Sequence, residues 1–177
     1  MKKFQAQDLT CLKELMGKSV KDIFYQPVAD LLAYVDMFVV NFGHKPDVSL
    51  HVFSFFRVLN NNNILLTTSD CFFDENYERL TPEKEEYARQ NCYNGTLLRV
   101  NIERVKNILK DAKVINAYST NIGDVFIEFD NSVTMEISID ALCNQECYRL
   151  ITYTGNSSQH NIVECKNGQF FYNIISD

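Results

Sequence analysis

The 177-residue chain is long enough to bury a sizeable core and short enough to need only one. Hydrophobic residues at 46% against 23% charged residues exclude wholesale disorder. The formal charge of −6 argues against a nucleic-acid surface, whose affinity comes from Lys and Arg neutralising phosphates.

No stretch reaches the roughly 18 apolar residues of a spanning helix, and Met1-Lys2-Lys3-Phe4-Gln5 runs into polar residues instead of an apolar signal core. The expectation is a cytoplasmic chain with no membrane contact. Its six cysteines, Cys11, Cys71, Cys92, Cys143, Cys147 and Cys165, are scattered and unaccompanied by an export signal, so they read as reduced thiols. Thirteen Phe, nine Tyr and only three Pro favour strands over loops.

Asp8 is placed to cap a first helix with Leu9, Leu12, Leu15 and Met16 as its apolar stripe and Gly17 as its left-handed stop. Val20 to Tyr25 and Val35 to Phe42 read as strands. The second is so continuously apolar that both faces should be covered, as in a central strand. Leu50 to Leu59 and Ile64 to Asp70 form a hairpin about an Asn61-Asn62 turn, since Asn tolerates positive φ. That register sets Leu59 opposite Ile64, Arg57 opposite Leu66 and Phe53 opposite Asp70.

Thr81-Pro82-Glu83 starts a short peripheral helix. A second helix follows Asn101 as cap, with Val100 and Val105 as a hydrophobic staple and Ile102, Val105, Ile108 and Leu109 as its buried stripe. From Lys113 onward the pattern is antiparallel strands: 114–119, 124–129, 133–139, 148–154, 161–165 and 169–174. Phe129 should lie opposite Val133, with Val125, Ile127, Met135 and Ile137 on the same face. Asn167-Gly168 signals a hairpin with Lys166 opposite Gln169. The fold class is α+β: a largely antiparallel β-sheet with two or three helices packed on it, in a single domain over 1–177, with 155–177 as an appended C-terminal hairpin.

Nucleophilic catalysis needs a base within hydrogen-bond reach, and the three histidines, His44, His51 and His160, stand in no known signature. The chain holds no Gly-x-Ser-x-Gly elbow, phosphate-cradling loop or His-Glu-x-x-His helix. Cys143 and Cys147 form one close pair without the second pair a zinc site needs, so neither metal nor cofactor is expected. Glu128 and Glu136 alternate with buried residues, as charges on a solvated outer sheet face do.

Two constellations remain. In the expected hairpin register Asp70 lies diagonal to His51, within about 7–8 Å, which allows either an acid/base pair in a cleft or a buried structural hydrogen bond. Arg57 stands about 20 Å from His51 along the strand, too far to join them. Between Asp70 and Glu86 seven acids outnumber Arg79 and Lys84. A solvated surface is the plain explanation of that run, and a docking surface for a basic partner, centred on Asp74, Glu75 and Glu78, is the functional one.

Leu50-His51, Phe56-Arg57, Ile64-Leu65-Leu66, Ser69-Asp70, Gly123-Asp124, Ile127 and Phe129, Met135-Glu136 and Tyr148-Arg149, in that order and spacing, resemble a family of small uncharacterised bacterial α+β proteins. The chain departs from that pattern by having Phe and Tyr where Trp is usual and by continuing from Gly155 to Asp177. The resemblance implies no reaction, cofactor or catalytic residue. Toxin-neutralising immunity proteins are similar in kind, being small, often acidic and without an active site.

The functional expectation is therefore a non-enzymatic interaction domain, with an immunity-type inhibitor of a basic protein partner as its specific form. The alternative is a small-molecule binder or enzyme using a cleft near His51 and Asp70. If no disulfide forms, thiol titration of the denatured, unreduced protein should count six free groups; a lower count in protein shielded from air would contradict this.

Overall fold

The chain folds into two antiparallel sheets, and strict alternation of buried and half-exposed residues marks the strands over Val125–Phe129 and Val133–Ile137. The computed structural model describes residues 2–4, 10–29, 34–43, 47–139, 146–153, 159–166 and 169–176. The strands are β1 (Lys2–Phe4), β2 (Val20–Ala29), β3 (Tyr34–Phe42), β4 (Val48–Val52), β5 (Phe56–Asn60), β6 (Asn63–Thr67), β7 (Val114–Ser119), β8 (Val125–Phe129), β9 (Val133–Ile137), β10 (Glu146–Tyr153), β11 (Gln159–Lys166) and β12 (Gln169–Ser176). Two α-helices, α1 (Pro82–Gln90) and α2 (Leu97–Leu109), lie between β6 and β7. The larger sheet runs β1-β12-β11-β10-β4-β3-β2 and the smaller β6-β5-β9-β8-β7. The fold is a sheet-dominated α+β arrangement.

The hinge between the sheets is Phe53-Ser54-Phe55. The N–H groups of Phe53 and Ser54 both donate to the Cys147 carbonyl, at 2.8 and 3.1 Å, while Ser138 N–H donates to the Phe55 carbonyl at 2.9 Å. The chain thus leaves the large sheet after β4 and enters the small one at β5, where a single strand over 50–59 was expected. The expectation failed because Phe53 and Phe55 prolong the apolar run and no Gly or Pro marks the corner. Phe56 then points inward and stacks on Phe38 of β3, ring centroids 3.8 Å apart.

The β5–β6 hairpin turns at Asn61-Asn62 as expected, with Asn61 at φ 53° and Leu59 opposite Ile64. A bulge then sets Val58 opposite Leu66 and Arg57 opposite Thr67, so Leu65 is the extra residue. Both Leu65 and Leu66 are buried because of it. β6 ends at Thr67, and Thr68–Phe72 turns into a 3-10 helix. The expected pairing of Phe53 with Asp70 is absent.

Phe38, Val40 and Phe42 of β3, Val48, Leu50 and Val52 of β4, Tyr148 and Leu150 of β10, and Val163 and Cys165 of β11 share one hydrophobic cluster with the inner faces of β5, β8 and β9. Val125, Ile127, Phe129, Val133, Met135 and Ile137 all lie in it, in the expected register. The buried Tyr148 hydroxyl donates to the Gly123 carbonyl at 2.9 Å, tying the large sheet to the β7–β8 turn. β3 is second from the edge of its sheet instead of central, yet both of its faces are covered, since Val39 is also buried. β11 lies between β10 and β12, with Lys166 opposite Gln169, so the C-terminal hairpin is built into the large sheet. Its turn, 167–168, falls outside the described residues.

α2 lies against the edge strands β2 and β6. It starts after Thr96, five residues before the expected start, because Leu98 continues the stripe Ile102, Val105 and Leu109 into the core. Asn101 is a helical residue, not a cap, and exposed Val100 makes no staple. α1 buries only Ala88 and leans on the 3-10 turn at 68–72. The first helix is instead a 3-10 turn, Thr10–Leu15, burying Leu12 and Leu15 but leaving Met16 45% exposed. Gly17 follows it at φ +74°. Asp8 and Leu9 lie outside the described residues.

The Phe38–Phe56 stack predicts that Phe56→Ala lowers stability by about 3–5 kcal/mol, measured by urea unfolding. A loss under about 1 kcal/mol would mean the sheets do not meet at this stack.

Candidate functional site

The outer face of the large sheet carries a row of polar residues aligned by strand register. His51, Arg149 and Glu164 lie opposite one another across β4, β10 and β11, and the buried Val39 of β3 ends the row beyond His51. Asn41 and Ser49 form the next rung. Ser49 Oγ donates to Asn41 Oδ1 at 2.6 Å, and His51 Nε2 lies 3.1 Å from Ser49 Oγ. With its own proton committed to Asn41, the Ser49 hydroxyl accepts from His51, and this network assigns the proton to Nε2. That polarity is the reverse of a serine activated by histidine, in which the hydroxyl proton passes to the imidazole. Ser49 is also 1% exposed, closed to any substrate.

Arg149 is held by both oxygens of Glu146, Nε to Oε1 at 2.6 Å and Nη2 to Oε2 at 2.5 Å, and its guanidinium sits 5.1 Å over the Phe53 ring. Burial disfavours this charge, but Glu146 and Glu164 outweigh it and keep the guanidinium firmly protonated. Burial, reinforced by the Arg149 charge, pushes His51 down to about 4, so the ring is neutral at physiological pH. On the small sheet Arg57 meets Glu136 in the same way, across the β5–β9 rung, at 2.5 Å. Both aromatic-Arg steps in the sequence thus carry cross-strand or local ion pairs.

Asp70 stands elsewhere, in the 3-10 turn after β6. Its carboxylate accepts from Thr67 N–H at 3.1 Å and from Asn101 Nδ2 at 2.8 Å, locking the end of β6 to α2. Burial nevertheless raises its pKa, more than these two bonds lower it. The structure does not bring His51 and Asp70 together: the first lies mid-sheet in β4, the second beyond the edge of the other sheet, and among the described residues they share no partner.

The acidic run forms an excursion between the 3-10 turn and α2. Asp74 is half-buried and structural: its Oδ1 accepts from Asn76 N–H and Glu78 N–H, both at 2.9 Å, and its backbone bridges to Thr96. Glu75 and Glu78 are exposed. Between them Tyr77, at φ 65°, projects with 72% of its surface exposed, and Tyr87 on α1 is 67% exposed. Arg79 lies 3.7 Å from Glu85 and 5.6 Å over the Phe72 ring. A cavity of about 110 Å³ lined by Cys71, Phe72, Glu85, Arg89 and Tyr93 opens beside α1, well under the about 300 Å³ of small ligand pockets.

Sequence reasoning missed Ser49 and Asn41. The first was signalled by its i, i+2 spacing from His51, while the second needed the β3–β4 register. It also passed over Tyr77, whose signal is an aromatic side chain inside an otherwise charged run. Glu128 and Glu136 lie half-buried on the outer face of the small sheet, as expected, beside Tyr118 stacked on Phe126 at 5.2 Å. Burial first, and then Glu128, raise the Tyr118 phenol pKa. Among the described residues no cluster of His, Cys, Asp or Glu is arranged to hold a metal ion. Cys143, His44 and the His160 side chain fall outside the described residues. Comparison of the chain with protein-family models, curated proteins and solved structures finds no match in any of the three.

The His51 environment sets a pH dependence. The imidazole titrates near 6.5 unfolded and at about 4 folded, so the unfolded chain takes up the extra proton and stability falls as pH drops through that window. Asp70 acts in the opposite sense, since its folded carboxyl keeps its proton to higher pH than the unfolded one. Comparing wild type with His51→Gln cancels Asp70. Because the ring is partly exposed, solvent screening leaves a relative loss for wild type of about 1 kcal/mol at pH 5 against pH 7.5. Urea midpoints whose difference stays constant between the two pH values would show the imidazole to be solvated.

Proposed function

We propose that the chain is a non-enzymatic interaction domain that docks a basic protein partner through the excursion between β6 and α2. The observation that carries this reading is the exposure of Tyr77 and Tyr87 on an acidic segment fixed by the Asp74 turn and the Phe73 and Asp74 bridges. Large aromatics at low conformational-entropy cost are common binding anchors, and surrounding carboxylates steer a cationic partner. An immunity-type inhibitor covering a basic toxin surface is the specific form proposed. Its support is the acidic balance and the similarity in kind of small motif-free bacterial proteins. The His51 and Asp70 side chains are each committed to structural partners, which leaves the enzymatic alternative without a favouring observation.

Asp74 holds the turn, so the contact residues of this surface are Glu75, Tyr77 and Glu78. A partner captured from the native cell should associate more slowly as salt rises, because the Debye length shrinks from about 8 Å at physiological ionic strength to about 3 Å at 1 M. Glu75→Gln with Glu78→Gln should flatten that salt slope, and Tyr77→Ala should speed dissociation by about tenfold or more. The fold should be unaffected, since such surface changes are worth about 0.5 kcal/mol each. Association and dissociation rates indistinguishable from wild type in all these variants would place the interface elsewhere.

A further inference from the structure

The chain twice sets an arginine between an aromatic ring and a carboxylate. Arg149 lies 5.1 Å over the Phe53 ring while both oxygens of Glu146 hold its guanidinium. Arg79 lies 5.6 Å over the Phe72 ring and 3.7 Å from Glu85. In each set the ring takes the face of the cation and the carboxylate takes its N–H edge, which suits a planar guanidinium better than a compact ammonium. The outer face of the small sheet holds a third such ring and carboxylate set, and there the arginine is missing among the described residues.

Strand register assembles that set. Tyr118 of β7, Phe126 of β8, Glu136 of β9 and Arg57 of β5 face one another in one rung, and Asn116, Glu128 and Thr134 in the next. Alternation places them outside, because Val125, Ile127, Met135 and Ile137 fill the core side. The Tyr118 and Phe126 rings stack with centroids 5.2 Å and planes 11° apart. Gly17, Lys18 and Ser19 pair with the chain at Lys113 and Val114, and the 3-10 turn Thr10–Leu15, which also meets β7, buries Leu12 and Leu15 in the core cluster. Tyr118, toward the other end of β7, stays 42% exposed. Glu136 is neutralised by Arg57. Glu128 accepts only from the Asn116 amide, at 3.2 Å, and from the Tyr118 hydroxyl, both neutral, and among the described residues no cation pairs with it. A carboxylate has lone pairs for further donors beyond these two.

We infer that the outer face of β7 and β8 is a docking site for an arginine side chain of a protein partner, with the guanidinium flat against the exposed Tyr118 ring and its N–H groups on Glu128. Charge complementarity names the occupant. An unneutralised carboxylate beside an exposed pair of rings calls for a cation, and the Arg149 and Arg79 sets show arginine filling that place in this same chain. The arginine is carried by a protein because the sheet face is open. A free organic cation there keeps most of its water, whereas a partner covering the face excludes water and strengthens the attraction of ring and carboxylate for the cation. The site lies on other elements than the excursion between β6 and α2 and does not depend on it.

The probe is the peptide acetyl-Gly-Arg-Gly-Arg-Gly-amide, titrated into the isotope-labelled full chain and read from backbone amide NMR shifts. Saturable shifts are expected at Asn116 to Tyr118 and at Phe126 to Glu128, with Kd on the order of 1 mM. Citrulline in place of each arginine keeps the shape, removes the charge and should abolish saturation. Lysine keeps the charge, loses the planar fork and should bind about threefold or more weakly. Glu128→Gln and Tyr118→Leu should each weaken the arginine peptide by about threefold or more. Amide dispersion reports whether each variant is folded, and Glu128→Gln decides alone should Tyr118→Leu disturb the fold. Glu75→Gln with Glu78→Gln should leave these shifts unchanged, so failure of the excursion and failure of this face are distinguishable. The inference is overturned by the absence of saturable shifts at these amides up to about 10 mM peptide, by wild-type affinity in Glu128→Gln, or by lysine matching arginine. Shifts of the same amides that depend on protein concentration without peptide would give the face to a second copy and overturn it as well.

Discussion

Everything in this molecule hangs on the corner at Phe53-Ser54-Phe55, where the backbone crosses from one sheet to the other. The corner is held by main-chain bonds, two to the Cys147 carbonyl and one from Ser138, so both sheets contribute to fixing it. Its consequence is that Phe56 faces Phe38 across the interior instead of continuing β4. One hydrophobic cluster can then draw on both inner faces and on α2. Tyr148 reinforces the same junction, since its buried hydroxyl needs an acceptor and finds one at Gly123, in the turn between β7 and β8.

The polar groups that stand out in the sequence are held by structural partners in this architecture. His51 is neutral and hydrogen-bonded to a buried serine, Asp70 pins β6 to α2, and Arg57 and Arg149 hold carboxylates beside their own strands. Each would be costly to leave unpaired at its depth, which is reason enough for its partners. What the interior does not absorb lies outside it, in the acidic, tyrosine-bearing excursion between β6 and α2. On the proposed reading it would select a partner by charge.

The sequence by itself determined the elements whose signals are local. Alternation in Val125 to Ile137 fixed the β8–β9 register and its buried face, Asn61-Asn62 and Asn167-Gly168 placed two hairpins, and Thr81-Pro82 placed α1. These succeeded because period-2 burial and turn stereochemistry act over a few residues and do not depend on what packs above them. Tertiary structure decided the rest. It broke 50–59 at a corner with no Gly or Pro to announce it, and it inserted Leu65 as a bulge that changed the partner of Arg57. It began α2 just after Thr96 because Leu98 had a place in the core, and it separated His51 from Asp70 by putting β4 in one sheet and Asp70 in the turn that follows β6 of the other. Each of these outcomes depends on contacts between residues far apart in the chain, and such contacts leave no periodic trace in the segments that make them.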